Sequence, residues 1–138
     1  MRLNFAALTL FALATPAFAM DLQSFRTPSD NIHCMFITDG GATSVECELR
    51  SRTNVKPAQP QPADCDLDWG NRFALDAKGK AGMVCHGDTL ITPDAPVVGY
   101  GGQATVNGIT CQSAETGLTC KNRNGRGFSL SRAKQKLF

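Results

Sequence analysis

Past residue 19 the chain has no apolar run approaching the roughly 20 residues a membrane-crossing helix needs, which excludes a polytopic membrane protein. It has no CxxC pair, so the zinc-finger and thioredoxin-like readings both lack their motif. It also lacks a Gly-x-Ser-x-Gly elbow, a zinc-binding His pair and a phosphate loop, and with them the usual signatures of hydrolases, metalloenzymes and nucleotide-binding enzymes. Aromatics are few, with one Trp and one Tyr, and they do not interleave with the bases. Together with a net charge of only +2, this makes nucleic acid an unexpected partner.

What is present begins with a leader. Arg2, the apolar stretch from Phe5 to Leu13 and the small-x-small site Ala17-Phe18-Ala19 read as a signal peptide over residues 1–19. Residues 20–138 are then one domain's length, destined for the periplasm or for secretion. Met20 follows the cleavage site and the first cysteine is Cys34, so no lipid anchor is expected. Lys134 and Lys136 would put charge on the lipid face of a terminal membrane strand, which argues against an outer-membrane barrel.

Export changes how the six cysteines are read. In an oxidising compartment an even number in a short chain indicates a disulfide framework rather than a metal site. Six cysteines allow fifteen pairings. Hairpin register favours the sequential one. Segment 31–37 is apolar and β-prone, Asp39-Gly40-Gly41-Ala42 turns the chain, and 44–49 alternates. Setting Cys34 opposite Cys47 also sets Thr38 opposite Thr43 and leaves 39–42 as a loop. Setting Cys111 opposite Cys120 likewise pairs Ser113 with Leu118 and leaves 114–117. Cys65 and Cys85 then pair by elimination. The similarity of the two hairpins is either an internal repeat or convergent hairpin chemistry.

Dense turn punctuation between short strand-like runs predicts an all-β domain of antiparallel hairpins, a sandwich or open barrel stapled by three disulfides. Residues 54–63 are a Pro-rich extended connection. From Asp64 to Trp69 a period of two predicts a strand with Cys65, Leu67 and Trp69 inward and Asp64, Asp66 and Asp68 outward. Residues 73–75 and 83–85 flank a further hairpin, and short runs at 89–92 and 97–100 flank a Pro93…Pro96 turn. Asn107-Gly108 and Asn124-Gly125 are two-residue hairpin signals. The tail, 131–138, is expected to form one helical turn.

Several of these segments resemble a family of small secreted bacterial proteins of unknown function. The residues are Thr27-Pro-Ser-x-Asn-Ile-x-Cys34, Cys65-x-Leu-Asp-Trp-Gly70, Val84-Cys-x-Gly-Asp-Thr89, Tyr100-Gly101, Gly108-Ile-Thr-Cys-x-Ser113, Thr116-Gly-Leu-Thr-Cys-x-Asn122 and Gly125-x-Gly-Phe-x-Leu-Ser-Arg132. They span nearly the whole domain. Such proteins often carry His where Arg126 stands here. The resemblance implies an exported module and brings no activity, cofactor or catalytic residue with it.

Candidate chemistry is thin. Asp64-x-Asp66-x-Asp68 spaces oxygens like a calcium loop, but Trp69 stands where the loop needs Gly and Leu75 where it needs a bidentate Glu. No metal or other cofactor is therefore expected. His33 and His86 adjoin cysteines, but a Cys–His nucleophile pair needs a free thiolate, which a disulfide framework removes. His86-Gly-Asp88 could orient an imidazole for general-base work, or be a polar turn after a strand. Trp69 is expected in the core.

Charge is distributed unevenly. Residues 121–138 hold Lys121, Arg123, Arg126, Arg132, Lys134 and Lys136 and no acid, while residues 20–120 carry seven bases against twelve acids. The Arg123-Asn-Gly-Arg126 tip would present two guanidinium groups beside exposed turn amides, an anion contact. The expected binding residues are Lys121, Arg123, Arg126 and Arg132, for an anionic envelope component or a secreted protein. The leading expectation is thus an exported, non-catalytic binding or structural module. The alternatives are an inhibitor of a secreted or cell-wall-active enzyme, and a small periplasmic hydrolase using His86, Asp88 and the acids near 64–68.

Overall fold

In the computed structural model, which describes residues 14–17 and 19–138, every regular element is a strand. Most of the expected leader, residues 1–13 and 18, lies outside the described residues. The ten strands are β1 (Asp21–Arg26), β2 (Ile32–Asp39), β3 (Ala42–Leu49), β4 (Arg72–Asp76), β5 (Gly82–Met83), β6 (Gln103–Val106), β7 (Ile109–Ala114), β8 (Gly117–Lys121), β9 (Gly127–Leu130) and β10 (Gln135–Leu137). They form two five-stranded antiparallel meanders, β1-β2-β3-β4-β5 and β10-β9-β8-β7-β6. Alternation along each strand sends one face inward, and the two inward faces merge into one core. The fold is therefore a small all-β sandwich.

The two sheets repeat one design. In the first, a single row crosses all five strands: Phe25, Cys34, Cys47, Phe73 and Met83 are successive partners. In the second, the corresponding row is Ala104, Cys111, Cys120, Phe128 and Leu137. Each row carries a disulfide between its second and third strands and a Phe on its fourth. The rows meet in the core: Cys47 Sγ lies 3.9 Å from Cys120 Sγ, and the Phe73 and Phe128 rings are 6.0 Å apart.

All three disulfides are formed as expected, two from register and Cys65–Cys85 by elimination. Cys34–Cys47 and Cys111–Cys120 bridge directly opposed residues with Cα atoms 4.1 and 4.0 Å apart, and Cys65–Cys85 ties the long excursion between β3 and β4 to the chain after β5. Loops of this size stabilise by about 3 kcal/mol each in the chain-entropy description. No cysteine is free.

Several local expectations are corrected. The 39–42 and 114–117 loops close one pair earlier, because Asp39 pairs with Ala42 and Ala114 with Gly117; Gly40-Gly41 and Glu115-Thr116 are two-residue turns. Gly40 and Gly41 have φ of 57° and 82°, the doubly positive conformation that matches strand twist. Asn107-Gly108 forms the same turn as expected, with φ of 44° and 87°. Asn124-Gly125 does not: Lys121 pairs with Gly127, leaving 122–126 as the connection. Asn122 organises it. Its Oδ1 accepts from the Asn124 and Arg126 amides, and its Nδ2 donates to the Asp76 and Gly79 carbonyls of the other sheet.

Segment 64–69 is not a strand. Cys65 is buried, but Leu67 points outward and is 58% exposed. Its side chain lies over Gly87, while Asp68 forms an isolated bridge with His86. Trp69 is half-buried rather than core. Its indole N–H donates to the Gln59 carbonyl and pins the Pro-rich connection. Runs 89–92 and 97–100 are not strands either, since their backbone groups serve other partners; Val97 instead bridges to Arg26 in parallel. The tail is β10 rather than a helical turn, because Gln135 and Leu137 reach the pairing edge of β9.

Candidate functional site

The charge asymmetry read along the chain maps onto the two sheets. Residues 20–100, which build the first sheet, hold seven bases and eleven acids; residues 101–138, which build the second, hold six bases and only Glu115. Three of the first group's seven bases, Arg26, Arg50 and Arg72, are held in ion pairs. Arg72, with a 4% exposed side chain, meets Glu48 at 3.0 Å and Asp88 at 2.9 Å, and Arg26 and Arg50 both reach Asp30. Among the described residues no ion pair involves any of the second sheet's six cations.

Alternation places Thr110 and Gln112 of β7, Thr119 and Lys121 of β8, Ser129 of β9 and Lys136 of β10 on the outward face of the second sheet. Their hydroxyls pair across strands, Thr119 with Ser129 at 2.9 Å and, at the edge, Thr105 with Thr110 at 3.0 Å. A shallow groove of about 490 Å³ runs over this face, lined by Gln112, Thr119, Ser129, Lys134 and Lys136. Gly117 lies in its floor. At φ 136°, a Cβ there would collide with the Leu130 carbonyl oxygen, so the floor stays flat.

On the first sheet the matching position is covered, while a concavity of about 620 Å³ lined by Ile37, Asp39, Ser44 and Asp76 opens at the β2–β3 turn end of the same face. Glu48, one position past Cys47, is the counterpart of Lys121, one position past Cys120. Glu48 points outward from β3 yet is only 6% exposed, because the 88–90 segment closes over it. Its carboxylate accepts from the Leu90 amide at 2.7 Å and the Thr89 hydroxyl at 3.1 Å. Arg72 also donates to Asp88, and this hydrogen bond, reinforced by the guanidinium charge, holds the Asp88 carboxyl below the ordinary value of 3.8.

Both histidines are built into the scaffold. His33 is fully buried; its Nδ1 accepts from the Thr92 amide, so Nε2 carries the hydrogen and donates to Asp30 at 3.0 Å. His86 is 5% exposed, with Nδ1 2.7 Å from the Asp88 carbonyl oxygen and Nε2 2.8 Å from Asn71 Oδ1. Neither ring nitrogen of His86 is left for a substrate. Asp64, Asp66 and Asp68 are all exposed, and no group of three or more potential metal ligands gathers among the described residues.

The four predicted binding residues do not form one cluster. Lys121 lies on the outward face. Arg123 and Arg126 sit in the 122–126 connection at one end of the sheet, where the Arg123 guanidinium packs over Gly108. Arg132 sits at the opposite end, in the β9–β10 turn, and donates to Ser51 at 2.6 Å. Sequence reasoning counted Lys134 and Lys136 as charge but did not nominate them. The signal was available: from Ser129, alternate residues reach one face only if the tail is read as a returning strand.

A second, smaller concavity of about 310 Å³ opens at the seam between the sheets, lined by Ser29 and Asn31 of the β1–β2 loop, Tyr100, Glu115 and Thr116 of the β7–β8 turn, and Arg132.

The fold and its surface define a disulfide-stapled β-sandwich with one acid-rich sheet, covered around Glu48 by the 88–90 segment, and one base-rich sheet with a polar groove. Its three disulfides fit an oxidising, extracellular environment, and among the described residues no helix is long and apolar enough to cross a membrane. Residues 6–138 match the model of a family of unknown function, DUF6636, and the chain belongs to that family. No curated protein and no solved structure matches it.

Proposed function

We propose that the protein is an exported, non-catalytic binding module that takes an anionic partner on the outward face of its second sheet. The observation that carries this reading is the contrast between the sheets. The first sheet's side is acid-rich, holds Arg26, Arg50 and Arg72 in ion pairs and seals Glu48 under a loop; on the second sheet's side, among the described residues, no ion pair engages the six cations, and Lys134 and Lys136 border an open groove of hydroxyl and amide groups. Such a surface supplies long-range attraction from the bases and short-range hydrogen bonds from Thr119, Ser129 and Gln112. Lys134 and Lys136 are the central contacts, with Lys121 beside them. Arg123 and Arg126 extend the field at one end and Arg132 at the other. The leader-like N terminus and the three disulfides support a periplasmic or secreted location.

The test is binding of the oxidised protein to anionic and neutral polymers over a salt series. Affinity for the anionic polymer should fall as salt rises, and Lys134→Glu with Lys136→Glu should reduce it at least tenfold without changing the melting temperature. Salt-independent binding, or unchanged affinity in the double variant, overturns the proposal.

A further inference from the structure

We infer that the seam cleft around Tyr100 is a sugar-ring subsite continuous with the basic groove, which makes the anionic partner an acidic polysaccharide; this rests on the binding reading above. Tyr100 is the only tyrosine, and it is 48% exposed. It sits in a tight turn in which the Gly102 amide donates to the Gly99 carbonyl. The turn is fastened to β7 on both sides of the ladder, by Gly101 N–H to the Ser113 carbonyl at 2.8 Å and Ser113 N–H to the Gly102 carbonyl at 2.9 Å. Glycines flank the ring at 99 and 101, so no neighbouring side chain along the chain shields its faces. A half-exposed aromatic on a fixed turn beside hydroxyl groups is the surface that a pyranose ring meets well, with its C–H face on the ring and its hydroxyls on polar partners.

The remaining groups fit the same ligand. Ser29, Thr116 and the Arg132 guanidinium line the cleft, and Arg132 is fixed by its bond to Ser51 and by Thr53 N–H donating to its carbonyl. Glu115 also lines the cleft. A carboxylate there repels a bare polyanion but accepts hydrogen bonds from sugar hydroxyls. The groove thus favours negative charge, whereas the seam favours neutral hydroxyl-rich groups. Ala114, Thr116, Gly117 and Ser131 line both concavities, so one small-residue shelf joins them. A linear chain bearing both carboxylates and hydroxylated rings satisfies both ends; a phosphate polymer satisfies only the groove.

The experiment compares a uronic-acid oligomer, a neutral oligosaccharide and polyphosphate by calorimetry with the oxidised protein. The uronate oligomer should bind most tightly. Tyr100→Ala should weaken it about 5- to 10-fold, the scale of one aromatic contact, and leave polyphosphate affinity unchanged, while Tyr100→Phe retains binding. Lys134→Ala with Lys136→Ala should weaken both anions. If polyphosphate binds as tightly as uronate and Tyr100→Ala changes neither, the seam inference falls while the basic-face reading stands. If neither anion binds, both fall.

Discussion

Cys47 and Cys120 touch across the sandwich, sulfur to sulfur at 3.9 Å, although each is bonded to a partner within its own sheet. The two cystines therefore pack as one unit at the centre of the core, both without solvent exposure at these residues. Groups in contact do not contribute independently to stability. Replacing Cys34 and Cys47 with Ala should cost about 3 kcal/mol or more, from loop entropy and lost packing. Removing Cys111–Cys120 as well should deviate from the sum of the two losses by more than ~0.5 kcal/mol. Combining either with removal of the distant Cys65–Cys85 bridge should be additive. Guanidinium unfolding of the variants makes the comparison, and additivity of the central pair would show that the contact carries no energy.

Arg72 and Glu48 form a buried ion pair beneath the 88–90 segment. Arg72→Met leaves the Glu48 carboxylate buried without its countercharge and should cost about 3–5 kcal/mol. Asp88→Asn should cost far less than Arg72→Met, since that carboxylate is exposed and screened. The pH dependence follows from the lowered Asp88 carboxyl. Its contribution is fully present above the ordinary value of 3.8 and is lost as pH falls through the lower folded value. An acid titration of stability should show this loss in the wild type and not in Asp88→Asn.

Asn122 joins the sheets through four hydrogen bonds, two to its own connection and two to carbonyls of the β4–β5 turn. Asn122→Ala should cost about 1–3 kcal/mol, because it removes four hydrogen bonds made by one buried side chain. Hydrogen exchange should speed up at the Asn124 and Arg126 amides. Protected amides in the variant would mean that the connection holds itself.

Ser113 is fully buried and its hydroxyl has no protein partner. Its counterpart in the first sheet, two positions past the first cysteine of the row, is Phe36, a core side chain. Ser113→Ala removes an unsatisfied polar group and should raise stability by about 1 kcal/mol. A fall in melting temperature would show that the hydroxyl is satisfied in solution.

Much of this fold was legible where local chemistry decides it. The Cys34/Cys47 and Cys111/Cys120 registers follow from turn residues within a few positions, and Asn107-Gly108 declares its own turn. Distant partners decided the remainder. Segment 89–92 reads as β-prone, but its Leu90 and Thr92 amides go to Glu48 and His33. The tail reads as a helical turn, and becomes a strand only because Gln135 finds Leu130. The repeat of the sheets was only half visible. Cys47 to Phe73 spans the Pro-rich excursion, whereas Cys120 to Phe128 spans one short connection, so matching Phe residues sit at unequal distances along the chain. The candidate site was legible as charge but not as a place: Arg126 and Arg132 are close in sequence, yet β9 carries them to opposite ends of the sheet.

The meeting of the two rows has a consequence for how the surfaces can diverge. Where Cys47 touches its counterpart Cys120, and Phe73 its counterpart Phe128, the contact is isologous, the self-complementary geometry of a two-fold dimer built within one chain. That geometry ties the inner faces to each other, since a change on one must be matched by its twin. It places no such tie on the outer faces. One position beyond the central cysteines, the halves carry opposite charge, Glu48 sealed beneath a loop and Lys121 open to solvent.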